Sequence, residues 1–168
     1  MQGQVHGRAA QRLYSPEERR RRDASRWTLV QGVLAPLQFG VFLASLYLVL
    51  RWLGTGEGLA LASASVVVKT LVLYTIMVTG SIWEKQVFGV WLFARPFFWE
   101  DVFSMLVLAL HTAYLVALAT GWLDARGQML VALAAYAAYV INAAQFLLKL
   151  RAARLEATAP PAAALAAE

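Results

Sequence analysis

"PFFWEDVFSMLVLALHTAYL", residues 96–115, is the stretch whose reading decides the fold. From Val102 onward it is apolar enough to cross a bilayer, which takes about 20 residues of helix. Yet it opens with two adjacent carboxylates, Glu100 and Asp101, and carries His111 in its middle. Ionisable groups inside a span are expensive, so they call first for a functional explanation.

Three further apolar runs accompany it. The spans read as residues 27–53, 59–83, 102–120 and 129–148. The chain of 168 residues is 60% hydrophobic, with a mean hydropathy of +0.57 and no cysteine. A soluble domain is nearer half apolar. The fold class is therefore all-α: an integral membrane four-helix bundle with a short N-terminal interfacial helix. Residues 1–12 read as a disordered tail, 13–155 as the bundle and 156–168 as a disordered Ala/Pro tail. Ser15, Pro16 and Glu18 form a capping-box signature that starts the interfacial helix. The basic segment and the first apolar run are both too long for a cleaved signal peptide. Residues 84–101, rich in aromatics, read as an interfacial loop.

The net charge of +5 is no nucleic-acid signal, because most of it flanks the first span. Twelve Lys and Arg fall in the N-terminal segment, the middle loop and the C-terminal end, against Arg51 and Arg126 on the other side. Both termini are expected in the cytoplasm. Absent cysteine excludes disulfides and thiolate metal sites. No phosphate-binding, zinc-protease, serine-hydrolase or dinucleotide motif occurs.

Polar residues concentrate toward the cytoplasmic half. Gln31 and Gln38 share one helical face, Glu100, Ser104 and His111 a second, and Tyr136, Tyr139 and Asn142 a third. These stripes predict a polar cavity open to the cytoplasm and closed near mid-membrane. Plainer readings stand beside this one. Glu100 and Asp101 also suit a helix N-terminus. His111 also suits a buried interhelical hydrogen bond, and Gln31, Gln38 and Asn142 suit interhelical contacts. Lys69 reads as snorkelling to the outer surface or pairing with an acid.

"YSPEERRRRDASRWTLVQGVLAPLQF", "VVKTLVLYTIMVTGSIWEKQVFG", "FFWEDVFSMLVLALHTAYL" and "QMLVALAAYAAYVINAAQFLLKLRAARL" resemble the 3-vinyl (2-vinyl) bacteriochlorophyllide hydratase family. The resemblance runs from about Tyr14 to Leu155. It implies an enzyme of bacteriochlorophyll synthesis in the bacterial inner, photosynthetic membrane, acting beside the other enzymes of that pathway. The implied reaction adds water to the C3-vinyl group of a chlorophyllide, giving a 1-hydroxyethyl group. It needs no cofactor beyond the magnesium that the substrate carries. A proton donor must stand by the vinyl terminus, and an acceptor must orient water on the inner carbon. The acids near the expected cavity are Glu84, Glu100 and Asp101, with Glu100 the favoured donor. His111 suits either proton transfer or axial ligation of the substrate magnesium. Phe97, Phe98, Trp99, Tyr136 and Tyr139 are expected to line the ring slot. Gln38 and Asn142 are expected at the substrate, with Arg95 or Lys85 on its propionate. Two other readings stay open. One is a non-catalytic pigment-binding assembly protein. The other is a small transporter, although Pro36 in the first span has no mirrored partner.

Overall fold

A computed structural model describes residues 13–158, and the described residues are all helix, turn and loop. The short helix α1 (Pro16–Ala24) precedes four long ones: α2 (Arg26–Thr55), α3 (Leu59–Phe88), α4 (Phe98–Thr120) and α5 (Ala125–Thr158). All four long helices have the length and apolar composition to cross a membrane. The expected tail of residues 1–12 lies outside the described residues, as does most of the C-terminal one. Its first residues continue α5 to Thr158.

The bundle is apolar outward. Leu29, Leu71, Val78 and Leu147 are all more than half exposed. In water such surface is an aggregation hazard. In hydrocarbon it matches its solvent. Inside, small residues let the helices approach: Ala62 on α3, and Ala132 and Ala135 on α5, are fully buried. Helices α2 and α3 form one long hairpin, and α4 and α5 a second. The hairpins meet through Phe42, whose ring lies 5.4 Å from that of Tyr136 and 4.9 Å from that of Tyr139. Ser45 Oγ bonds both Ser65 Oγ (2.7 Å) and Tyr136 Oη (2.6 Å), joining α2, α3 and α5.

The N-terminal corner is pinned to the end of α3. The capping box at Ser15 forms as its sequence predicts. Ser25 then caps α2 and donates to Gln86 Oε1 at 2.7 Å. The Trp83 indole N–H donates to Thr28 at 3.0 Å. Tyr14 stacks on Phe88 beside Phe97.

The loop before α4 is shorter than the sequence suggests. Helix α3 runs five residues beyond Trp83, and α4 starts at Phe98 after a 3-10 turn, Arg95–Phe97. Glu84, Glu100 and Asp101 therefore stand on helices, not in a loop. Gly89 ends α3 at φ 83°, a left-handed conformation that glycine adopts without Cβ strain.

Candidate active site

Polar groups line the seam between the two hairpins at two depths. The first lies at the end where α3 finishes and α4 begins. Glu84 and Asp101, one from each helix, are buried neighbours at this end. The connecting loop clamps both. Phe93 N–H donates to Asp101 Oδ2 at 2.8 Å, and Ala94 N–H donates to Glu84 Oε2 at 3.1 Å. Two carboxyls can bond to each other only while one carries a proton, because an ionised carboxylate is solely an acceptor.

Glu100 belongs to a different arrangement. It is buried, and its Oε2 lies 2.9 Å from Lys149 Nζ on α5. Lys149 also donates to the Pro96 carbonyl. One turn further in, Asn142 Nδ2 donates to Ser104 Oγ at 2.8 Å. That bond uses one of the two Ser104 lone pairs and leaves its hydroxyl proton for another acceptor. Asn142 Oδ1 and Gln145 Oε1 are buried without partners among the described residues.

The second depth is near mid-membrane. His111 lies ten residues beyond Asp101 on α4, about 15 Å by helical rise. It is fully buried, and its ring sits against Tyr136. Its Nδ1 is 2.8 Å from the Val107 carbonyl, which makes Nδ1 the protonated nitrogen. Nε2 is left as a lone pair with no partner among the described residues. A ring N–H fixed to a backbone carbonyl with the other nitrogen open is the usual posture of a metal-ligating histidine. Gln38 on α2 is also buried, with Oε1 unpartnered among the described residues.

Several expected residues stand elsewhere. Trp99 is 66% exposed and Phe98 44%, so both face outward and neither lines the interior. Trp99 and Asp101 stand about 100° to either side of Glu100 on α4; Asp101 turns inward and Trp99 outward. Phe97 is buried, but among Tyr14, Val87 and Trp83. Arg95 and Lys85 are exposed, and Lys85 Nζ donates to the Gly89 carbonyl at 2.8 Å. Lys69 does not snorkel and has no acid partner among the described residues. It is fully buried, with Nζ 4.0 Å from the Tyr139 ring centroid. Its position on the line Ala62–Val66–Lys69–Leu73, all buried at helical spacing, was the available signal. The expected open cavity is closed, since Glu84, Glu100, Asp101 and Ser104 are all buried. An apolar groove of about 410 Å³ lies instead on the outside of α2 and α3, lined by Leu29, Val33 and Thr79 among others.

A family model described as 2-vinyl bacteriochlorophyllide hydratase matches residues 14–152. A protein of that name from Cereibacter sphaeroides is 69% identical over 146 residues, 86% of this chain and 90% of the relative. Another of the same name, from Rhodobacter capsulatus, is 65% identical over 156 residues, 93% of this chain and 91% of the relative. No solved structure matches.

Proposed function

The chain belongs to the 2-vinyl bacteriochlorophyllide hydratase family, and from that premise we propose that it is the membrane hydratase that adds water to the ring vinyl group of a chlorophyllide in bacteriochlorophyll biosynthesis. The match across residues 14–152, nearly the whole described bundle, carries this reading.

The chemistry requires a proton on the terminal CH₂ and a hydroxyl on the inner carbon. We assign the proton to the Glu84–Asp101 pair. Its transfer leaves a cation on the inner carbon, delocalised into the macrocycle. Water attacks there, and the proton that water releases returns to the pair. The vinyl group becomes 1-hydroxyethyl, the acids end as they began, and no electron leaves the substrate. Asp101 and Ser104 are three residues apart and share a face of α4. The Ser104 hydroxyl, held by Asn142, is suited to pass the proton inward or to hold the attacking water. His111 Nε2 is suited to the substrate magnesium, which would set the depth of the ring. Ser104 stands about 10 Å of helix from His111, so a ring held at His111 would carry its vinyl edge toward Ser104. Glu100, already paired with Lys149, is better suited to hold α4 against α5 than to donate.

The twelve-to-two distribution of Lys and Arg supports cytoplasmic termini, with the acid pair at the cytoplasmic end. A photosynthetic organism places such an enzyme in its inner membrane. Pigment analysis of a deletion strain tests the function. Vinyl pigments should accumulate and disappear on complementation. An assembly factor would leave the pigments chemically normal, and that outcome would reject the hydratase.

A further inference from the structure

Lys69 takes no part in the hydration chemistry above, yet its setting calls for a ligand. The residue is fully buried in α3, and Nζ has no hydrogen-bond partner among the described residues. Its near neighbour is the face of the Tyr139 ring, 4.0 Å to the centroid. An aromatic face attracts a cation but supplies no lone pair to three N–H donors. The acids are remote. Glu84 lies fifteen residues along the same helix, about 22 Å by rise, and Glu100 and Asp101 are at that same end. Tyr139 offers Lys69 only a ring face, and the open Nε2 of His111 is not hydrogen-bonded to it among the described residues. Buried cations in spans face the bundle interior and mark substrate paths, where an anion completes them.

We propose that Lys69 binds the propionate carboxylate of the pigment, near mid-membrane, on the side of the ring flanked by Tyr139. This rests on the hydratase reading, which supplies a substrate with a free carboxylate. Arg95 and Lys85, expected from the sequence to hold the propionate, are exposed, and Lys85 already donates to Gly89. The carboxylate then lies deep in the seam, and the vinyl edge lies toward the acid pair. A site that spends a buried cation on a carboxylate also rejects esterified pigments, because an ester leaves the cation unpaired. Lys69 becomes the residue that restricts the enzyme to free acids.

The test compares binding of a vinyl magnesium chlorophyllide with that of its methyl ester, using purified full-length protein in detergent and following pigment absorbance. Wild type should bind the acid about 30-fold or more tighter, the loss typical of removing one partner from a buried charge pair. Lys69→Met should lose that preference while its affinity for the ester changes little. Arg95→Ala and Lys85→Ala should retain the preference. Equal wild-type affinities for acid and ester would overturn the proposal, and this measurement needs no variant to fold. So would a preference that survives in Lys69→Met, or one that vanishes in Arg95→Ala or Lys85→Ala instead. Wild-type protein that prefers the acid but hydrates neither pigment would reject the hydratase reading and leave the carboxylate site standing.

Discussion

At the scale of single residues, neighbours in sequence have different tasks. Glu100 and Asp101 differ by about 100° around α4. That turn sends Glu100 to Lys149 on α5 and Asp101 to Glu84 on α3. Glu84→Gln and Asp101→Asn keep an oxygen for the loop N–H groups but remove the carboxyl proposed to carry the proton. Each should lower turnover by about 100-fold or more while pigment binding holds. Glu100→Gln should cost much less turnover. Rates measured in membranes decide, and the reverse order would return the donor role to Glu100. His111 gives a second prediction. If Nε2 ligates the substrate magnesium, His111→Ala should weaken binding of the magnesium pigment far more than that of the metal-free pigment. Equal weakening would point to packing. Unchanged affinity with lost turnover would point to proton transfer.

At the scale of elements, the connection from α3 to α4 does the positioning. Its two backbone donors, Phe93 N–H and Ala94 N–H, hold the two carboxyls that come from different hairpins. Phe93 does so at φ 60°, a left-handed conformation that costs a residue with a Cβ roughly 1–2 kcal/mol. Such strain persists where the surroundings over-determine it, often at a functional site. Proline fixes φ near −65° and has no N–H. Phe93→Pro should therefore reduce turnover strongly while the four helices still insert. Asparagine tolerates the left-handed region, so Phe93→Asn should keep most activity. Normal turnover in Phe93→Pro would show that the clamp on Asp101 is dispensable.

At the scale of the whole molecule, four spans bring the start of α2 and the end of α5 to one side. The excess of basic residues on that side is the ground for proposing that it faces the cytoplasm. Reporters fused after Glu168 should be active only in their cytoplasmic form, and an externally active fusion would invert the assignment. The sequence by itself determined the four spans, the capping box at Ser15 and the inward stripes of Ser104–His111 and Tyr136–Tyr139–Asn142. These follow from local quantities: apolar length, side-chain chemistry and the 3.6-residue period. Its long runs of apolar residues also signalled a membrane solvent. Tertiary structure alone decided that Glu84 meets Asp101, that Glu100 meets Lys149, that Trp99 faces outward and that Lys69 is enclosed. A span apolar on every side gives the sequence no contrast between its lipid face and its buried face. The period says which residues share a face, and only the packing of the neighbouring helix says what that face meets.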